Sequence, residues 1–284
     1  MTAIIIPAHN EASVIANTLT ALLSQVRDED EVIVVSNGCN DNTAHVARQF
    51  SPRVTVLETD VPSKTNALNL GDRHAKSFPR IYLDADIRLA QGALNKLVDA
   101  LATGPWLAVA PEPQMDLEGA NWAVQAYYDI WLSLPYCRNG MIGAGVYALS
   151  EAGRARFGDF PNVIADDGYV RALYKESERA RVAGAISVVR APASLTWLLK
   201  IKTRSRLGGM ELARRFPGLL ENETKDYSGA LRGMLVNPLN WPKVFVYLYV
   251  NVVSRAMARE RLRNLSHYQW EKDTSSRKPK AGGE

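Results

Sequence analysis

Two cysteines, Cys39 and Cys137, are all that the 284 residues contain. They give neither a metal-binding spacing nor a disulfide framework, so a reducing, cytoplasmic setting is the default. The histidines are few too. His9, His45, His74 and His267 show no ligand spacing, and surface or capping roles are expected of them. Neither G-x-G-x-x-G nor G-x-x-x-x-G-K-[ST] occurs, so a bound nucleotide would need another way to neutralise its phosphates. Long apolar runs are also missing. The opening "MTAIIIPAHNE" has no basic region before its short apolar run and reads as a first strand, not a signal peptide. No internal repeat is visible.

What is present suits a globular protein with a sizeable core: 46% of residues are hydrophobic, enough for one large domain or two small ones. The net charge of +4 is unevenly divided. Residues 1–199 hold 17 Lys and Arg against 22 Asp and Glu, whereas residues 200–284 hold 17 against eight. A basic end of this kind suits phosphate, an anionic membrane or nucleic acid.

Hydrophobic periodicity sets strands against helices. "AIIIPA" (3–8), "DEVIVVSN" (30–37), "RVTVLET" (53–59) and "RIYLDAD" (80–86) read as strands. Residues 11–25, 41–50, 63–75 and 90–103 read as helices, with Val14, Ile15, Leu19, Leu22 and Leu23 at helical spacing in the first. Regular alternation predicts an α/β fold, a Rossmann-like, mostly parallel sheet with helices on both faces. Ligands of such sheets bind at the carboxyl ends of the strands. Pro7–Asn10, Ser36–Asp41, Asp60–Lys64 and Asp84–Asp86 all fall there.

The last of these carries the strongest chemical signal. Alternate residues of an extended segment share a face, so Asp84 and Asp86 would repel unless something positive lay between them or one reached water. Paired carboxylates at a strand end can hold Mg²⁺ or Mn²⁺ and leave positions open for substrate phosphates. Equally, each Asp can simply cap the following turn.

Six segments in order resemble a family 2 glycosyltransferase of the GT-A fold, over roughly residues 2–215. "IIIPAHNE" is similar to that family's first strand and nucleotide-contacting turn, and "VIVVSNGCNDNTA" to its second strand and D-G-S-x-D-x-T segment. "SKTNALNLG" resembles the G-K-x-x-A-L-N-x-G helix, and "YLDAD" the D-x-D position. "MIGAGVYALS" (141–150) is similar to the acceptor-side strand, and "ADDGYVRALY" (165–174) to the acidic motif that supplies the base. There are departures. Ser36 and Asn37 stand where paired acids are usual, Cys39 replaces a serine, Asp166 replaces a glutamate, and Q-x-x-R-W has no clean match beyond the position of "KIKTRSRLGG" (200–209).

The resemblance implies an inverting transfer of a sugar from a nucleotide-diphosphate donor, a UDP- or GDP-sugar, to a hydroxyl acceptor, lipid-linked or a polysaccharide precursor. It implies metal ligation by Asp86 assisted by Asp84, and a general base at Asp167 beside Asp166. Nucleotide and sugar contacts would fall to Pro7, Ala8, Asn10, Glu11, Asn37, Asp41, Lys64, Asp84 and Ala85. Lys64, Lys202, Arg204 or Arg206 would assist at the phosphates, with Gly208 and Gly209 as the hinge of a mobile lid. Residues alone leave blander roles open: helix capping for Asp166 and Asp167, helix opening for Glu11, and core packing for Trp122, Tyr127, Tyr128 and Trp131. Trp197 suits either sugar stacking or a packed strand end. Two other functions compete: a nucleotidyltransferase, which would normally carry a glycine-rich loop after strand one, and a non-catalytic membrane-associated interaction protein.

The expected organisation is a 1–215 glycosyltransferase domain, with a nucleotide-sugar half at 1–104 and an acceptor half at 105–215. A basic helical segment follows at 216–270, then a disordered tail at 271–284. Trp241–Asn264 reads as a helix. Its apolar stretch Val244–Val253 is about half of the ~20 residues needed to span a bilayer. Trp241, Tyr247 and Tyr249, followed by Arg255, Arg259, Arg261 and Arg263, suit peripheral attachment to the inner face of the cell membrane, against burial in the core. Nucleic acid is not expected as a partner.

Overall fold

Ala3–Ala8 forms strand β1, and its three isoleucines are wholly buried. Side chains alternate across a strand, so Ile4 and Ile6 enter one core layer and Ile5 the other. Burial on both faces is what a central strand of an α/β sheet requires. The computed structural model describes residues 1–135, 137, 141, 144–222 and 237–264. After β1 come α1 (Ile15–Leu23), β2 (Glu31–Asn37), α2 (Thr43–Arg48), β3 (Thr55–Thr59), α3 (Lys64–His74), β4 (Arg80–Leu83) and β5 (Arg88–Leu89). Then follow α4 (Ala93–Thr103), β6 (Ala108–Asp116), α5 (Trp122–Ser133), β7 (Val146–Leu149), α6 (Glu151–Arg154) and α7 (Asp166–Ala172). The chain continues through β8 (Arg179–Arg190), α8 (Leu195–Arg215) and α9 (Trp241–Arg263).

Among the described residues eight strands join one sheet in the order β3-β2-β1-β4-β7-β6-β8-β5. The first four of that order are parallel, as the alternation predicts. Strand β7 runs antiparallel between β4 and β6, and β5 antiparallel on β8. Helices cover both faces. Ile15 and Leu19 of α1 and Leu94 and Leu97 of α4 pack with Ile4 and Ile6, while Ala67 and Leu68 of α3 and Val170 of α7 pack with Ile5. A separate apolar cluster joins α5, α8 and α9 through Tyr127, Tyr128, Leu198, Val244, Tyr247 and Val250. Core packing thus accounts for Tyr127 and Tyr128, whereas Trp122 is exposed.

Three expectations are corrected. Strand β4 stops at Leu83, so Asp84 and Asp86 lie in a turn and not on one strand face. The turn is pinned where the Asp84 amide donates to the Gly145 carbonyl at 2.8 Å and the Thr18 hydroxyl to the Ala85 carbonyl at 2.8 Å. The "KIKTRSRLGG" segment is no hinged lid: it lies within the continuous helix α8. Glycine is kept at 208 by packing, since a Cβ there would sit 2.7 Å from that of Ala165, just before α7. Trp197 likewise lies in a helix, under the Lys200 ammonium at 4.2 Å, not at a strand end. The tail at 271–284, and residues 223–236 and 265–270 of the basic segment, lie outside the described residues.

Candidate active site

Lys64 opens α3 immediately after Ser63, whose side chain caps the helix by accepting from the Asn66 amide. This placement sends its ammonium to 2.7 Å from Asp84 Oδ1 and 3.0 Å from Asp166 Oδ1. One cation therefore joins the D-x-D turn to the acidic pair of α7. The positive charge expected near Asp84 and Asp86 is Lys64. Asp166 is buried, and its Oδ2 also accepts from the Tyr147 hydroxyl at 3.3 Å.

The charges are mutually dependent. Burial opposes the charge on Lys64, but Asp166 and Asp84, with Asp167 beyond them, outweigh it and hold the ammonium above its ordinary pKa. Burial pushes the Asp84 carboxyl up to about 6, and the charges of Asp166 and Asp86 add to this against the pull of Lys64. Burial and the neighbouring Asp166 raise the Tyr147 phenol too, so it stays a hydrogen-bond donor.

Asp167 differs from its neighbour. It is half-buried, and its Oδ1 accepts from the Gly168 amide at 2.7 Å. It lies in the first turn of α7. The N-cap of α7 is Ala165, with no side-chain cap, so capping does not account for the acidic pair.

Gly145 leaves the room that Asp84 needs. Its φ is +82°, and a Cβ would meet Ile87 Cγ1 at 2.7 Å and Asp84 Oδ2 at 3.2 Å. Ala144 beside it holds a positive φ of 37°, uncommon for a residue with a side chain. Neither Tyr147 nor Gly145 is singled out by sequence, although both lie in "MIGAGVYALS". The signal available was a glycine next to a tyrosine at the start of a strand.

The ends of β2 and β3 frame a cavity of about 410 Å³, lined by Ser36, Gly38, Cys39, Asn40, Glu58, Thr59, Asp60 and Pro62. It lies one short loop before Lys64. Gly38 has a φ of +55°, and a Cβ there would clash with Pro62 at 2.7 Å. Pro7 and Ala8 are buried at the end of β1. Asn37 donates through Nδ2 to the Ala8 carbonyl at 2.9 Å, which ties the two strand ends together and faces inward. Asn10 accepts from the Asn40 amide at 2.7 Å and thereby props the cavity's rim.

Several expected contacts are spent internally. Asp41 accepts from the Ala12 amide at 3.2 Å and, through its other oxygen, from the Thr43 amide at 3.0 Å and the Thr43 hydroxyl. Its carboxylate braces two loops. Glu11 is buried, and its carbonyl accepts from the Val14 and Ile15 amides, which opens α1. Arg206 donates to Ser254 Oγ at 2.8 Å and to Asn251, and so clamps α8 to α9. Lys202 enters a box of Tyr127, Tyr128 and Trp131, with ring centroids 4.5 to 5.1 Å away, and has no carboxylate partner among the described residues. Arg204 stays a proposal by position.

Burial lowers the Lys202 pKa to about 8, with Arg206 adding to the effect. An unfolded lysine keeps its proton to about 10.4. Between those values the unfolded chain binds a proton that the folded chain has lost, so stability rises with pH across that window. Lys202→Met removes the buried charge and is expected to stabilise the fold by about 1 kcal/mol at pH 7. The advantage should shrink as pH rises from about 8 towards 10. Urea unfolding at both ends of that range checks this; an advantage that does not change with pH would refute the cause given.

For a metal, the donor set is two carboxylates in one turn. Lys64 takes Asp84 Oδ1, leaving Oδ2 beside the side-chain-free Gly145. Half-buried Asp86 follows two residues later. No cluster of three or more potential ligands occurs among the described residues. Two carboxylates suit Mg²⁺ or Mn²⁺, hard cations that draw further oxygens from phosphate and water.

Known proteins resemble this chain in sequence and in fold. Residues 3–140 match the model of glycosyl transferase family 2. A poly-beta-1,6-N-acetyl-D-glucosamine synthase of Staphylococcus epidermidis is 29% identical over 115 residues, 39% of this chain and 28% of that protein. Glycosyltransferase AglE of Haloferax volcanii is 33% identical over 105 residues, 35% of this chain and 34% of that protein. The match thus spans about a third or less of the curated relatives' length. The mannosyltransferase PcManGT from Pyrobaculum calidifontis, solved with GDP-Man and Mn²⁺, superposes with a TM-score of 0.60 at 21% identity. That superposition covers 95% of this chain and 76% of the other. Glucosyl-3-phosphoglycerate synthase from Mycobacterium tuberculosis, solved with phosphoglyceric acid, gives 0.54 at 17% identity over 76% of this chain and 79% of its own. The fold is GT-A.

Proposed function

Residues 3–140 match the model of glycosyl transferase family 2, and from that match we propose that the chain transfers a sugar, with inversion, from a nucleotide-diphosphate donor to an acceptor hydroxyl. The observation that carries this reading is the Lys64 bridge, which links the D-x-D turn to the acidic pair of α7. A cavity of about 410 Å³ lies one loop away along the chain. The donor half is residues 1–104 and the acceptor half 105–215. A UDP- or GDP-sugar is the donor class. The nucleotidyltransferase alternative has neither the glycine-rich loop nor a family match in its favour.

Each residue has a task. Asp86 and Asp84 would hold Mg²⁺ or Mn²⁺, which supplies Lewis-acid stabilisation of the departing diphosphate. Lys64 places a fixed positive charge at the same turn and holds buried Asp166 in an ion pair. The Tyr147 hydroxyl orients Asp166 from the opposite side. Asp167, half-exposed and not ion-paired to Lys64, accepts the proton of the acceptor hydroxyl as general base. Attack by that oxygen from the face opposite the leaving group inverts the anomeric centre, the same geometry as an inverting hydrolase with the acceptor in place of water.

The test is a thermal-shift series of UDP and GDP with Mn²⁺ or EDTA on the full chain, alongside hydrolysis of UDP- and GDP-sugars. Ligand at 100 times its Kd stabilises the native state by about 2.7 kcal/mol. Asp86→Ala is expected to abolish the Mn²⁺-dependent part of that shift and leave the melting temperature without ligand unchanged. A shift of wild-type size in Asp86→Ala would exclude Asp86 as a ligand. No metal-dependent shift with any nucleotide diphosphate would overturn the donor class.

A further inference from the structure

Helix α9 has two apolar sides, and the fold covers one. Val244, Tyr247, Val250, Ser254 and Ala258 are buried against α5 and α8, with Tyr247 stacked on Tyr127 at 5.4 Å between centroids. Lys243 ties the start of the helix to Asp129 of α5 at 2.7 Å. On the other side Trp241, Phe245, Leu248, Tyr249 and Val252 face solvent; Phe245 is 71% and Val252 68% exposed. Their spacing by threes and fours places them on one stripe. The same stripe continues through Arg255, Arg259 and Arg263, all exposed and without an ion pair among the described residues. At ~1.5 Å per residue, about 17 Å of apolar face leads directly into about 12 Å of arginine face.

We infer that this outer face of α9 lies on an anionic bilayer surface. The inference stands apart from the glycosyltransferase reading. No described helix is long and apolar enough to cross a membrane. An apolar stripe in register with a cationic one is what binding in the interfacial plane requires, the first entering the acyl boundary and the second meeting anionic headgroups. A purely apolar protein partner would gain nothing from the three arginines. The position is also productive. Helix α9 packs on α8, and α8 packs through Gly208 on Ala165 at the start of α7, which carries Asp166 and Asp167. Sequence alone places Tyr247 among the membrane-facing aromatics, and the structure removes it to the core.

Flotation of the full chain with vesicles tests this. Vesicles of phosphatidylcholine with about 30% phosphatidylglycerol are compared with pure phosphatidylcholine, at low salt and at ~0.5 M NaCl, which shortens the screening length to under half its physiological value. Wild type is expected to float only with the anionic vesicles at low salt. Phe245→Glu with Val252→Glu, and separately Arg255→Glu with Arg259→Glu and Arg263→Glu, should each cut the floated fraction at least tenfold, with melting temperature unchanged. Wild type that stays in the soluble fraction at low salt overturns the inference. So does equal flotation of the Phe245→Glu, Val252→Glu chain. A lipid-free dimer that this double substitution dissociates, with no flotation of wild type, would assign the face to a second copy instead.

Discussion

Asp167→Asn is expected to retain nucleotide and metal binding and lose sugar transfer by 10² to 10⁴-fold, the range for removal of a general acid–base group. The substitution is nearly isosteric. Its amide can still accept from the Gly168 amide, the bond that Asp167 makes at 2.7 Å, so helix α7 keeps its first turn. What it cannot do is take a proton. Asp166→Asn provides the contrast. Asp166 is buried, bound to Lys64 at 3.0 Å and to Tyr147 at 3.3 Å. Its neutralisation leaves Lys64 with Asp84 as its one remaining close carboxylate, and so it should disturb donor binding as well as rate. A loss in kcat alone for Asp167→Asn, against losses in both kcat and KM for Asp166→Asn, separates base from positioning residue. Near-wild-type transfer by Asp167→Asn would move the base to another group.

Asp72→Ala is expected to cost about 3 to 5 kcal/mol of folding stability, the largest structural effect of any single change considered. Asp72 is buried in α3, accepts hydrogen bonds from the Tyr82 hydroxyl at 2.7 Å and Arg154 Nε at 2.6 Å, and forms ion pairs with Arg80 Nη1 and Arg154 Nη2, each at 2.5 Å. Both arginines are nearly buried and also stack on rings, Arg80 on Phe78 at 4.4 Å and Arg154 on Phe157 at 4.3 Å. Removing the one carboxylate strands two guanidinium charges, and that desolvation is where the cost arises. Against a native stability of 5 to 15 kcal/mol, the loss lowers the melting temperature by roughly 6 to 20 °C for a domain of this size. Urea midpoints measure it. A change below ~1 kcal/mol would mean that water reaches the arginines once Asp72 is gone.

The two expectations depend on different kinds of information. Asp167 as a candidate base is legible in the sequence, because the order of six motifs that points to it is made of local patterns. Asp72 is not, because its three partners arrive from β4 and α6, and no local pattern ties them together. The same division holds at the site. "SKTNALNLG" marks Lys64 as important, but only folding brings it within 3.0 Å of both Asp84 and Asp166.

By itself the sequence determined the alternation of strand and helix, the four strand ends, the acidic D-x-D pair and the basic C-terminal end. These are set by side-chain periodicity and by residue type, both of which act over a few neighbours. Tertiary structure decided the rest. It inserted β7 antiparallel beside β4, which brings Gly145 and Tyr147 to the acids. It carried α8 through Gly208 and Gly209 as one continuous helix, with Ala165 packed where a side chain at Gly208 would sit. It turned Tyr247 inward and Phe245 outward on α9, although both lie in one apolar run. The physical reason is common to all three. Which face of an element is buried depends on the surface brought against it, and that surface is supplied by residues distant in the chain.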